Sequence, residues 1–194
     1  MAKTAQFDRN EVIEKATNLY WKKGYHATSM RNLQDEIDMR PGSIYAAFGS
    51  KDGLFKEALK NYTQHGLASI ELCRQGNASP LGALKDFVKA QVIETAQGAP
   101  NGVCMLAKTL SELTSEHQEL LDETKAHLSK VVDEFVKLIE QAQQMGELDK
   151  EKSATDLANY LQIQITGLRT FAKMNNDKVV LESIIDDIFA HHPF

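Results

Sequence analysis

Residues 28–55 read TSMRNLQDEIDMRPGSIYAAFGSKDGLF, and this stretch decides the fold. Thr28 or Ser29 is placed to cap a short helix that carries Met30, Leu33 and Ile37. Asp38 follows at a turn position, where aspartate tolerates left-handed backbone better than most residues. Pro41 then opens a second short helix, running through Phe48, at a first-turn site where its missing N–H costs nothing. Two short helices joined by so tight a turn let the second enter a DNA major groove while the first braces against the backbone. Leu33, Ile37, Met39, Ile44 and Phe48 are spaced to make the small core that sets the crossing angle. Arg40, Gly42, Ser43, Ala46 and Ala47 are left on or near the outward surface of the second helix. Arg40 is long enough to reach a guanine edge or a phosphate, and Gly42 and Ser43 let the backbone approach closely. Tyr45 and Lys51 are expected to hold phosphates, through a hydroxyl and a charge respectively.

Upstream, Asp8 and Glu11 have capping-box spacing, and Val12, Ile13, Ala16, Leu19 and Tyr20 share one helical face before a stop at Gly24. Downstream, Ser50 caps a helix over 51–74 that ends at the break Gln75-Gly-Asn-Ala-Ser-Pro80. Five longer helices are predicted beyond it, over 81–97, 103–114, 117–145, 153–174 and 177–191. No β-alternation or internal repeat interrupts the pattern. The expectation is an all-α chain of about nine helices, with a three-helix helix-turn-helix domain at 1–50 and a second helical module at 51–194. Helix 51–74 links the two.

The net charge of −5 argues at first sight against a nucleic-acid partner. Its distribution reverses that reading. Residues 1–66 hold ten Lys/Arg against eight Asp/Glu, net +2, and residues 67–194 hold twelve against nineteen, net −7. A small DNA-facing module attached to a larger acidic one accounts for the split. The N-terminus turns charged before any apolar run develops, so no signal peptide is expected, and no apolar stretch approaches the ~18 residues of a membrane span. A cytoplasmic location follows, with Cys73 and Cys104 as reduced thiols.

The chain resembles the TetR/AcrR repressor family at Gly24-Tyr25, at the helix start Thr28-Ser-Met-Arg31, and at Pro41-Gly-Ser-Ile-Tyr45 followed by Phe48-Gly-Ser-Lys-Asp-Gly-Leu-Phe55. The resemblance implies DNA contacts at Thr28, Arg31, Arg40, Gly42, Ser43, Tyr45 and Lys51. It also implies a homodimer, formed by the last two helices and set on a near-palindromic operator, with a small-molecule or electrophile inducer. Gln34, Ile37 and Asp38 depart from the family pattern, which usually has small residues and a turn glycine there. Apolar faces at Leu157, Tyr160, Leu161, Ile165 and Leu168, and at Val180, Leu181, Ile184, Ile185, Ile188 and Phe189, are broad enough to pair.

A sensor pocket is expected among the helices of the second module, lined by Phe87, Gln91, Met105, Thr109, Phe135 and Gln164. The segment Asn101-Gly-Val-Cys-Met-Leu-Ala-Lys-Thr-Leu-Ser-Glu-Leu113 is similar to that of regulators of the nem-operon repressor type, with Val103 as an extra residue. That resemblance points to Cys104 as a sensing thiol, to Lys108 and Glu112 beside it, and to Lys173 as a nearby ammonium. A cysteine at a helix start feels the positive end of the helix dipole, and a cation beside it favours the thiolate further.

Two other classes fit these residues less well. An enzyme would need a site, yet the six histidines are scattered, and Glu116-His117-Gln118-Glu119 lacks a metal-ligand partner at helical spacing. There is no phosphate-cradling glycine loop and no nucleophile elbow, so no catalytic residue, metal or cofactor is expected. A helical scaffold would show no salt-dependent operator binding.

Overall fold

The computed structural model describes residues 7–94, 99–191 and 193–194. Helix α1 (Arg9–Lys23) starts where the Asp8 carboxylate accepts the N–H groups of Asn10 and Glu11 at 2.9 and 3.3 Å. Glu11 does not close a capping box; its carboxylate pairs with Lys15 at 2.7 Å instead. Gly24, at φ +90°, ends the helix by donating its N–H to the Tyr20 carbonyl. Ser29, rather than Thr28, caps α2 (Met30–Ile37), in a reciprocal box with Asn32. Asp38 closes α2 in the left-handed conformation, at φ 51° and ψ 46°. Helix α3 (Pro41–Phe48) follows with proline in its first turn, and Ser50 caps α4 (Lys51–Gly76).

Beyond the break, Ser79 caps α5 (Pro80–Lys89), which continues as one π-helical turn over Ala90–Glu94. Helix α6 (Met105–Glu112) leads through a 3₁₀ turn at Ser115–His117 into α7 (Gln118–Gln144). Helices α8 (Ala154–Phe171) and α9 (Lys178–Ala190) complete the chain. Nine α-helices and no strand are present among the described residues. The part of the expected helix 81–97 beyond residue 94 lies outside them. No described helix is long and apolar enough to cross a membrane.

Burial of apolar side chains, each contributing roughly 1.5–3 kcal/mol, builds two adjoining cores. One gathers Ile13, Tyr20, Leu33, Ile44 and Phe55 from α1–α4, and takes in Met105 and Leu106 of α6. The other gathers Phe87, Phe135, Leu161 and Ile185 from α5, α7, α8 and α9. Helix α4 crosses between them, with Leu54, Phe55, Ala58 and Leu59 in the first core and Ile70 in the second. The apolar division therefore runs along α4, and α6 belongs to the core of the reading head.

The apolar faces of the last two helices are mostly spent inside the protomer. Leu157, Leu161, Ile165, Leu168, Leu181, Ile185 and Ile188 are all buried there. The exposed large apolar residues on this side include Ile163 (67% exposed), Val179 (74%) and Val180 (37%), with Phe171 and Met174 also exposed.

Candidate functional site: a reading head coupled to a sensor cavity

Helix α3 presents one continuous outward surface. Arg40 sits at its N-cap and makes no side-chain capping bond; Gly42 and Ser43 are exposed in its first turn. Tyr45 is half exposed, while Ile44 and Phe48 on the opposite side are buried and hold the helix down. A Cβ built on Gly42 would meet nothing within 4 Å. The free chain therefore gives no steric reason for glycine there. Arg31 is exposed on α2, 4.0 Å from Asp35, an i,i+4 pair too solvated to immobilise it.

Thr28 and Lys51 are placed differently from the sequence expectation. Thr28 is fully buried and its hydroxyl donates to the Gly24 carbonyl at 2.6 Å, so it braces the turn between α1 and α2. The Lys51 ammonium donates to the Tyr25 carbonyl at 2.7 Å and lies 4.1 Å from the centre of the Tyr25 ring. Burial pushes its pKa down, against the opposing pull of Asp52 and Glu112. The Tyr25 hydroxyl in turn donates to Asp52. Lys51 thus ties the start of α4 to the end of α1, its part-buried ammonium held on the Tyr25 carbonyl.

A cavity of about 190 Å³ lies between α1, α4, α5, α7 and α8. Of the six residues expected to line a pocket, Phe87, Gln91 and Phe135 line this cavity, and Cys104 joins them there. Met105 and Thr109 do not: Met105 packs into the reading-head core, and the Thr109 hydroxyl bonds back to the Met105 carbonyl at 2.9 Å. Gln164 is not among the lining residues, and Gln162, two residues earlier on α8, lines the cavity instead. Lys173 is exposed, its stem lying against Gly102.

Cys104 is the N-cap of α6 and is buried. Its thiol shares the cavity wall with Tyr62 and interacts with it electrostatically; burial pushes the Tyr62 pKa up. The cation joined to this pair is Arg169, not Lys173. Arg169 donates to the Gly102 carbonyl (2.9 Å), the Tyr62 hydroxyl (3.3 Å) and the Gln91 side-chain carbonyl (3.3 Å). The sequence reading missed Trp21, Tyr62 and Arg169. For Arg169 a signal existed: Gln162, Ile165 and Arg169 fall at i, i+3 and i+7, one face of α8.

The cavity wall is bolted to the reading head. Trp21, which lines the cavity, donates its indole N–H to the Val103 carbonyl at 2.7 Å. Lys108 donates to the carbonyls of Trp21 and Lys22, at 3.2 and 3.0 Å, placing a cation at the negative end of α1. The Glu112 carboxylate accepts the backbone N–H groups of Tyr25 and His26, at 3.1 and 2.6 Å. Five hydrogen bonds thus join the segment 103–112 to the end of α1 and the turn into α2.

This architecture has known counterparts. The family model for bacterial regulatory proteins of the tetR family matches residues 12–58, and that for the tetracyclin repressor-like C-terminal domain matches residues 80–188. The chain belongs to the tetR family. It is a TetR-type, DNA-binding transcriptional repressor. Among its relatives, the HTH-type transcriptional repressor ComR of Escherichia coli (strain K12) is 27% identical over 171 residues, 86% of this chain and 80% of ComR. The uncharacterized HTH-type regulator YezE of Bacillus subtilis (strain 168) is 24% identical, over 96% of both chains. A cysteine mutant of the TetR family regulator CifR, solved with 26 bp double-strand operator DNA, superposes with a TM-score of 0.87. It is 25% identical and covers 98% of this TetR-family chain and 100% of its own. Among the described residues of this regulator, no group of three or more His, Cys, Asp or Glu is placed to hold a metal ion.

Proposed function

We propose that this TetR-family regulator acts in the cytoplasm as a homodimer that holds a near-palindromic operator and lets go when a small molecule, or a modified Cys104, occupies the cavity. The observation that carries this reading is the run of hydrogen bonds from the cavity wall to α1. Val103, next to Cys104, holds the Trp21 indole, and Lys108 and Glu112 hold the end of α1 and the turn into α2. A ligand that displaces Trp21, or a group added to the Cys104 sulfur, changes the seating of α6 and with it the reading heads. Arg40, Gly42, Ser43 and Tyr45 on α3, with Arg31 on α2, form the DNA face. The openness around Gly42 fits a demand for close approach that comes from the nucleic acid. Exposed Ile163, Val179 and Val180 supply apolar surface for a second protomer.

The test uses an operator obtained by in vitro selection and fluorescence anisotropy of the DNA. Wild type is expected to bind with strong salt dependence and to release DNA on treatment with a thiol-alkylating agent. Cys104→Ser should bind equally and ignore the agent. A Cys104→Ser variant that still releases DNA removes the thiol from the mechanism and leaves reversible ligand binding as the mode of induction. The absence of any salt-dependent DNA binding by wild type would overturn the reading as a whole.

A further inference from the structure

We infer that the cavity selects a small apolar monocarboxylate, with the carboxylate seated on Arg169. This rests on the cavity being the inducer site. Arg169 is 97% buried, being 3% exposed, and lines the cavity. Its three hydrogen-bond acceptors are the Gly102 carbonyl, the Tyr62 hydroxyl and the Gln91 side-chain carbonyl, all of them neutral. Its Nη2 is buried and has no partner. Among the described residues no carboxylate stands within ion-pair distance of the guanidinium. Glu14, the acidic residue that also lines the cavity, is engaged with Asn61 at 2.9 Å and with Asn18, and lies 3.7 Å from His65.

A buried, permanently charged group with an idle donor is costly unless a counter-charge completes it. Arginine cannot lower that cost by giving up its proton. The walls fix the rest of the ligand. Phe87, Phe135, Leu128, Ile165 and Trp21 surround the charged pole with hydrocarbon, and an apolar cavity of about 150 Å³ already accommodates benzene. About 190 Å³ therefore suits a body of that bulk plus one carboxylate. A single guanidinium neutralises a single charge, so a dianion would leave one charge buried and unpaired. Tyr62 extends the pole, because its hydroxyl accepts from Arg169 and it lines the cavity together with Cys104. A carboxylate at Arg169 would lie on the same polar side of the cavity as Cys104, close to the Val103–Trp21 bond that joins cavity to reading head.

The experiment compares phenylacetate and hexanoate with their primary amides by isothermal titration calorimetry on the intact protein. Emission from Trp21, the sole tryptophan, serves as a second readout inside the site. Each acid should bind at least about tenfold more tightly than its amide, the lower end expected for hydrogen bonds to a charged partner. Arg169→Met, which keeps the length and bulk of the stem, should erase the preference, and Arg169→Lys should restore part of it. Circular dichroism establishes that the variants fold; if Arg169→Met does not, the acid-to-amide ratio in wild type decides alone. Equal affinity for acid and amide overturns the anion pole while leaving the cavity as a ligand site. Failure of all four compounds to bind also overturns it. Tight, acid-selective binding that leaves operator affinity unchanged supports the pole and instead overturns the cavity's role as inducer site.

Discussion

Removing the Glu112 carboxylate should loosen the reading head without touching a DNA contact or the cavity. Glu112 accepts two backbone N–H groups, a part-buried one from Tyr25 at 3.1 Å and an exposed one from His26 at 2.6 Å. Hydrogen bonds to a charged partner contribute about 1.5–3 kcal/mol where solvent is excluded and less where water competes. The bond to Tyr25 therefore carries most of the effect. Glu112→Ala should cost about 2 kcal/mol, and Glu112→Gln, whose amide carbonyl still accepts, about 1 kcal/mol. For a chain of this length that corresponds to a fall in Tm of about 4–8 °C for the alanine variant, compared at equal protomer concentration. The close approach at Gly24 supports the assignment. A Cβ there would come within 2.4 Å of the Glu112 carboxylate oxygen, so backbone and side chain are packed against each other. The second assay is operator release. With the tether cut, the drop in DNA affinity caused by ligand or thiol modification should shrink, while binding of the effector itself stays the same. A Tm within about 1 °C of wild type, together with undiminished release, would refute the claim that this carboxylate couples the two modules.

The two halves of the predicted DNA face should separate on mutation. Arg40→Ala and Tyr45→Ala should weaken operator binding with little change in Tm, Arg40→Ala also lowering the salt slope by about one if it meets a phosphate. Lys51→Ala should mainly lower Tm, because it removes the bond to the Tyr25 carbonyl; a Lys51→Ala protein of wild-type Tm with lost DNA affinity would restore it to the interface. A pH dependence is expected at Asp186, which bonds Lys85 and Lys89 across α9 and α5, both at 3.1 Å. Those two ammonium groups hold its carboxyl below the ordinary 3.8. Its contribution is thus present in full above that value and is lost as pH falls through the depressed one. Asp186→Asn should accordingly melt below wild type at pH 7, the gap closing once the carboxylate is titrated; a gap that persists in strong acid would contradict the ion-pair account.

The sequence by itself determined the local architecture. Ser29, Asp38, Pro41 and Ser50 act within a few residues of themselves, through capping bonds, a left-handed turn and a fixed φ, so α2, α3 and the start of α4 were legible to within a residue. Most outward positions of α3 were legible for the same reason, since helical periodicity and the burial of Ile44 and Phe48 fix which side faces out; Ala47, expected near that surface, instead packs partly against the core. The partners that Thr28 and Lys51 take within the chain, the Gly24 and Tyr25 carbonyls, were not legible, because they are set by how the end of α1 folds back on α2 and α4. In the sensor half, Phe87, Gln91 and Phe135 followed from pattern, while a phase slip of two residues exchanged Gln162 for Gln164. What only the tertiary structure decided is the company each group keeps. Residues 67 or more positions apart bring Arg169 to Gly102, Tyr62 and Gln91, and α6 to the end of α1. Capping and periodicity are near-neighbour effects; which buried cation is left incomplete, and which helix moves with the reading head, depends on contacts that form only when the chain closes on itself.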